Sequence, residues 1–506
     1  MIRKRSRSAS AGISILTLLS AAAVATTTTA AHAHGPASRD CRDQSVTLSV
    51  EESRLTFTLP DNDNPAVLQS RPFAQQMIDG AGFQGFTPAF VRQLCGAGSL
   101  TAAEALVSRR AAQLWRMAVD RAQRRDVRGD LPYSDDRPLY WTRVQATAAI
   151  RQWTPRFALT SGQRLGLIEA FDRGSRGMFD ITLPRGERVK RVIVSGFDPY
   201  TLDGGPAGTA PGAAGNNIRH GNPSGATALS LDGTTYRTTD GEIAYVEAYT
   251  LPVSFPEFRR GYLEDTVGPY MVPGPRQVDA SITVSQAGGS QFNLEQWNAR
   301  YHGVSLGNDR FRPCPQVNGV PQLAINNPEC NTMVVDRWGG PSTFDLRNPP
   351  QWTSATLPIA EMIAADTGRN VPRPPGDTWP DQSVAFGVVW NTSYTQFPDC
   401  ASPTRETRNS PPPVQYPPVT PPIAPDPQGC SYSGGGGNYL SNESAYRNTL
   451  LRDRMGLDIP AGHIHTPDMQ HFETDYQPSD ATFDAWRLAI AQQTRNLIHA
   501  VAETVD

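Results

Sequence analysis

From residue 189 onward the chain alternates short apolar runs with longer segments of helical period, and this alternation limits the fold more than any other feature. The runs 189–195, 243–251, 280–286 and 383–391 are the right length and composition for buried strands. Between and after them lie helical stretches such as 357–367 and 443–455. Strands that bury both faces need helices on both sides, so the pattern predicts a three-layer α/β/α sandwich around an open, twisted, mixed sheet. This region begins near residue 186, after a change in composition at Pro184-Arg-Gly-Glu187, and runs to residue 506. Loop-like residues at about 311–330 and a proline-rich stretch at about 397–430 read as insertions. Proline supplies neither a ladder donor nor a helix interior, so the second insertion is expected to be extended at the surface.

With 506 residues the chain can bury a core in each of two domains. Residues 34–185 read as a smaller, mostly helical α+β module. Period-two alternation over 44–50 and 53–59 suggests a short hairpin, and apolar residues at three and four spacing predict helices over 102–125, 138–153 and 161–171. Tyr140, Trp141 and Trp153 are assigned to its core or to an interface, and no chemistry is visible in it.

Residues 1–33 read as a secretory signal peptide. Arg3, Lys4, Arg5 and Arg7 precede an apolar run over 11–25, and Ala31-His-Ala33 offers small residues for cleavage. The run is shorter than the roughly 20 residues a membrane span needs, so a secreted protein with no membrane association after cleavage is expected. Export also suits the six cysteines, Cys41, Cys95, Cys314, Cys330, Cys400 and Cys430. Nearest-neighbour pairing would keep each bridge within one segment, although spacing alone leaves the connectivity open. A net charge of -3, without a basic stripe, argues against a nucleic-acid partner.

Chemistry concentrates near the C-terminus. The stretch 434–446, Gly-Gly-Gly-Gly-Asn-Tyr-Leu-Ser-Asn-Glu-Ser-Ala-Tyr, hands the chain through glycines to Ser441 at the start of a helical run. First-turn N–H groups favour an anionic nucleophile and cradle an oxyanion. Serine is also a preferred N-cap, so a purely structural Ser441 fits the same local pattern. A histidine pair follows in Ala461-Gly-His-Ile-His-Thr-Pro467. His463, His465, Asp468 and His471 have metal-ligating side chains, but no H-E-x-x-H spacing joins them, and neither a metal nor another cofactor is expected. No G-x-S-x-G elbow is present.

Taken in order, Gly196-Phe-Asp-Pro-Tyr200, Asn222-Pro-Ser224, Leu251-Pro-Val253, Gln286-Ala-Gly-Gly289, the segment around Ser441 with Tyr446, and Gly462-His-Ile-His-Thr-Pro467 resemble the motifs of the pyroglutamyl peptidase I family, the pyrrolidone-carboxylate peptidases. The resemblance covers roughly 188–500 without the insertions. It implies Ser441 as nucleophile, His465 as general base and then acid, and Glu295 as the group orienting the imidazole. It also implies that Phe197, Tyr200, Gln286 and Tyr439 receive a flat, neutral lactam ring. This chain departs from the family pattern in having Ser441 for the family's cysteine, Ser290 for an arginine, and Tyr200 for a phenylalanine.

The expected activity is removal of an N-terminal pyroglutamyl or similarly blocked residue from a peptide or small blocked-amino-acid substrate. The alternative is a non-catalytic secreted binding or scaffold protein that keeps the peptidase fold. Self-association is left open.

Overall fold

The computed structural model describes residues 40–186, 188–301, 305–313, 349–371, 386–398, 407–409, 422–469 and 472–505. Its N-terminal part is built from α1 (Val50–Ser53), α2 (Phe73–Gly80), α3 (Phe86–Cys95), α4 (Leu100–Ala122), α5 (Arg137–Gln152) and α6 (Ser161–Gly174). The three long helices follow the predicted apolar stripes to within a few residues. The hairpin expected over 44–59 is absent. Ser49 accepts from the Glu52 N–H while the Glu52 carboxylate accepts from the Ser49 N–H, a reciprocal cap that starts α1 where alternation suggested a strand. Trp115, Trp141 and Trp153 are fully buried in the core of this part, each removing a large apolar area from water. A Cys41–Cys95 disulfide ties residue 41 to the end of α3. Cys430 is also disulfide-bonded, while Cys314, Cys330 and Cys400 lie outside the described residues.

The strands are β1 (Val189–Phe197), β2 (Thr234–Arg237), β3 (Ile243–Leu251), β4 (Ala280–Gln286), β5 (Phe292–Glu295), β6 (Trp297–Ala299), β7 (Trp352–Ser354), β8 (Val388–Asn391), β9 (Tyr394–Phe397), β10 (Thr407–Asn409), β11 (Cys430–Ser433) and β12 (Ala461–Thr466). Seven of them form one mixed sheet in the order β2-β3-β1-β4-β12-β5-β8. Its centre, β3-β1-β4-β12, is parallel, and β5 runs antiparallel to β12. The carboxyl ends of the four parallel strands therefore open at one edge, where an α/β sheet places its ligands.

Helices cover both faces. α7 (Pro223–Leu231) and α12 (Ala481–Thr504) pack on one face with α10 (Ile359–Ala364), burying Val192, Val194, Ile282, Val284, Leu294 and Ile464 against Phe483, Trp486 and Ile490. The other face carries α8 (Phe255–Arg259), α9 (Tyr262–Val267) and α11 (Leu440–Arg454). The predicted helix over 357–367 is shortened to α10, with a 3-10 turn at Thr367–Asn370. Around the proline-rich insertion, β10-β9-β11 form a small separate sheet, so its borders are paired. Residues 399–406 and 410–421 lie outside the described residues, as does 314–348 in the other insertion. The described residues form one compact unit.

Candidate active site

Strand periodicity assembles the polar groups. On β4, Ser281, Thr283 and Ser285 alternate with Ile282 and Val284, and Ser281 Oγ donates to Asn448 Oδ1 of α11 at 2.6 Å. The hydroxyl face of β4 is thus the face under α11. On β12, His463 and His465 stand beside Thr283 and Ser285 in register. On β5, Glu295 lies opposite His463, one step diagonal to His465. The hydroxyl residues of β4 and the histidines of β12 are each spaced by two, and Glu295 is in register with His463, so one face of three strands carries the whole set.

His465 Nδ1 and Glu295 Oε1 are 2.7 Å apart. Glu295 is fully buried, and its other oxygen accepts from Asn391 Nδ2 at 2.7 Å. An ionised carboxylate only accepts, so His465 carries its proton on Nδ1 and presents the Nε2 lone pair elsewhere. Among the described residues Nε2 has no hydrogen-bond partner. Asn391 also donates to the Gly435 carbonyl at 3.2 Å, tying the carboxylate to the glycine turn. A Cβ at Gly435 would collide with Glu295 Oε2, and one at Gly436 would press on Asn442 N and His465 Cε1. The glycines let the backbone lie directly over the histidine and its carboxylate.

Ser441 is the second residue of α11. Tyr439 occupies the N-cap position without a side-chain capping bond, so the serine does not cap the helix. Its Oγ instead accepts from Ser285 Oγ at 2.8 Å. The backbone N–H groups of Leu440, Ser441 and Asn442 have no partner among the described residues. They form the positive end of a helix that could receive a developing oxyanion. Asn442 fixes this end to β6, donating to Ala299 O at 2.7 Å and accepting from Ala299 N at 2.8 Å. Deeper in α11, Arg447 pairs with Glu443 at 2.5 Å and with Glu264 of α9 at 2.7 Å.

Phe197, Tyr200, Gln286 and Tyr439 all line one pocket with Ser441, Ser285, Asn222, Val253 and Leu440. Gln286 Nε2 donates to Tyr200 Oη at 2.5 Å and to Asp468 Oδ1 at 3.0 Å, and the Gln286 carbonyl oxygen is buried without a partner. The free volume of this pocket is about 30 Å³. Burial pushes the Asp468 carboxyl up to about 6. His471 lies outside the described residues, and no metal-ligating cluster occurs among the described ones.

The N-terminal helices reach this site through buried arginines that the sequence did not reveal. Arg143 of α5 and Arg176 both bond the Asp198 carboxylate, the latter at 2.6 Å, in the loop leading to Tyr200. Asp136 accepts from the Asn222 N–H at 2.8 Å, and Asn222 Nδ2 donates to the Asp198 carbonyl at 3.0 Å. Arg54 forms a two-bond pair with Asp203, at 2.7 and 2.6 Å. The loop that floors the pocket is therefore held from the helical side.

The profile of the PA0049 C-terminal domain matches residues 191–470, and that of the PA0049 N-terminal domain matches residues 30–172. The uncharacterized protein PA0049 of Pseudomonas aeruginosa is 44% identical over 517 residues, covering 93% of this chain and 92% of the relative. The chain belongs to the PA0049 family. Among solved structures, a point mutant of the pyrrolidone carboxyl peptidase of Pyrococcus furiosus is similar to this PA0049-family chain at 16% identity, covering 62% of this chain and 99% of that one, with a TM-score of 0.33. The pyroglutamyl peptidase I of Bacillus amyloliquefaciens is similar at 16% identity over 62% of this chain and 95% of its own, with a TM-score of 0.31. In the PA0049-family chain, the two matched segments meet where Arg143 holds Asp198, with Arg176, from the stretch between them, as the second cation.

Proposed function

We propose that this PA0049-family chain is a hydrolase that removes an N-terminal pyroglutamyl or similarly blocked residue, with Ser441 as nucleophile, His465 as general base and then acid, and Glu295 as orienting carboxylate. The observation that carries the reading is the buried His465–Glu295 pair, which fixes the imidazole as an Nδ1–H tautomer beside a pocket containing Ser441. In acylation Ser441 Oγ forms a bond to the substrate carbonyl carbon and its proton passes to His465 Nε2. The imidazolium is stabilised by Glu295 and then protonates the departing amine as the C–N bond breaks. First-turn N–H groups of α11 hold the oxyanion. Water then repeats the sequence on the ester, with His465 returning the proton to Ser441.

Phe197 and Tyr439 supply apolar faces for a lactam ring, and the unpartnered Gln286 carbonyl is a ready acceptor for its N–H. Export by the N-terminal signal is part of the proposal, and the Cys41–Cys95 bridge suits an oxidising compartment. No helix among the described residues is long and apolar enough to cross a membrane.

A second reading, a binding protein without turnover, is favoured by one observation: Ser441 Oγ is engaged by Ser285 and not by His465. The two are separated by incubating the protein with a pyroglutamyl p-nitrophenyl ester, quenching in acid and mapping the adduct by mass spectrometry. An acyl group on Ser441, lost in Ser441→Ala, supports the hydrolase. Stoichiometric binding of the pyroglutamyl amide without an adduct supports the binding protein.

A further inference from the structure

The site contains two histidines, and the mechanism above uses one. His463 is fully buried and sits in a chain of hydrogen bonds that ends on the nucleophile. Thr283 Oγ1 lies 2.7 Å from His463 Nδ1, Ser285 Oγ lies 2.8 Å from His463 Nε2, and Ser285 Oγ donates to Ser441 Oγ at 2.8 Å. We infer that Thr283, His463 and Ser285 form a neutral donor relay that positions Ser441, and that Ser285 is the positioning residue in direct contact with it. The inference rests on Ser441 being the nucleophile.

Proton counting fixes the direction. A serine hydroxyl has one proton, and Ser285 gives it to Ser441, so Ser285 must accept from His463 Nε2–H. His463 then has a bare Nδ1, which accepts from the Thr283 hydroxyl at 2.7 Å, the shorter of that hydroxyl's two contacts, the other being 3.3 Å to the Gly462 carbonyl. The relay runs one way: Thr283 to His463 to Ser285 to Ser441. With one Ser441 lone pair occupied, its own O–H is free to turn to His465 Nε2. When the ester collapses and Oγ leaves, the Ser285 donor meets growing negative charge on that oxygen.

His463 is poorly suited to be the base. The groups facing it are Thr283, Ser285, His465 at a ring distance of 4.7 Å, and Glu295 across the strand pair. Burial, then the neighbouring His465, lowers its basicity well below that of an ordinary histidine. Glu295 bonds His465 and not His463. One imidazole is equipped to become charged and the other to stay neutral.

The test is the rate at which a fluorophosphonate labels Ser441, measured from pH 5 to 9, in wild type, Ser285→Ala and Thr283→Val, with imidazole ¹⁵N NMR of the same proteins. This readout needs no knowledge of the natural substrate. The relay predicts labelling roughly 10- to 100-fold slower in Ser285→Ala, the scale of a misplaced attacking atom, with the acid limb unmoved. In wild type His463 should remain the Nε2–H tautomer throughout, and Thr283→Val should mix its tautomers. Retention of the His465 Nδ1–H resonance in Ser285→Ala shows the neighbouring pair intact, so the slowing is not collapse of the site. An unchanged labelling rate in Ser285→Ala, or a His463 that gains charge near neutrality, overturns the relay alone. A wild type that is not labelled at Ser441 overturns the nucleophile reading and the relay with it.

Discussion

The rings of His463 and His465 lie 4.7 Å apart at 88°, on one face of β12, yet face opposite demands. His465 donates an Nδ1–H hydrogen bond to the Glu295 carboxylate, whereas His463 has only hydroxyl partners among the described residues. A carboxylate stabilises a transient imidazolium and a hydroxyl does little for it. Two chemically identical side chains thus sit in opposite electrostatic settings, set by their hydrogen-bond partners.

Glu295→Gln keeps the shape of the site and removes the charge. In turnover of a pyroglutamyl amide, kcat is expected to fall by roughly 10²-fold or more with KM little changed, because the imidazolium loses its counter-charge only in the transition state. A fall in KM-controlled binding with kcat intact would place Glu295 in the substrate pocket.

Gly435→Ala tests the same pair from the backbone side. The added methyl would displace the Glu295 carboxylate. Loss of activity should accompany loss of the His465 Nδ1–H resonance in proton NMR, while circular dichroism stays that of wild type.

Arg143→Met removes one of the two cations on the buried Asp198. Arg176 still pairs with Asp198, so the loss should fall below the about 3–5 kcal/mol of a buried ion pair broken outright, and the denaturant midpoint should drop. Because Asp198 leads into Tyr200, KM for the pyroglutamyl amide is expected to rise as well.

Stability should decline as pH rises from about 5 to 8.5, even without the active site. Burial, with Glu257 and Asp198 adding repulsion, pushes Glu51 up to about 8. Burial and the adjacent Asp135 push Asp136 up, and burial and Asp232 push Glu247 up. An unfolded carboxyl releases its proton near pH 4, so above that the folded state holds protons that the unfolded state does not. The resulting stability is complete below about pH 4 and is lost as pH passes the folded values. Thermal melts at several pH values check this, and Glu51→Gln should flatten the slope.

The Cys41–Cys95 bridge closes a loop of 54 residues. Replacing both cysteines with serine is expected to cost about 2–4 kcal/mol in denaturant unfolding, chiefly through the unfolded chain.

Much of the sheet was legible. The spans 243–251 and 280–286 emerge as strands because each is a short run rich in β-branched or aromatic residues. The alternation over 44–59 misled because Ser49 and Glu52 form a reciprocal cap, a local bond that period counting does not register. Ser441 and His465 stand in segments that the resemblance picks out, whereas Glu295 was reached only as the glutamate following Gln286-Ala-Gly-Gly289. Thr283 and Ser285 were not visible, since hydroxyl residues alternating along a strand look like any polar face; only the spacing of His463 and His465 hinted that this face was organised. Arg143 and Asp198 are 55 positions apart, and no local pattern announces such a pair.

The measurement that bears most directly on the account is hydrolysis of a fluorogenic pyroglutamyl amide by the disulfide-intact protein, beside Ser441→Ala and Ser441→Cys. The account predicts turnover by wild type that Ser441→Ala abolishes. Silence from wild type with turnover gained by Ser441→Cys would contradict it, leaving an intact pocket without a working serine.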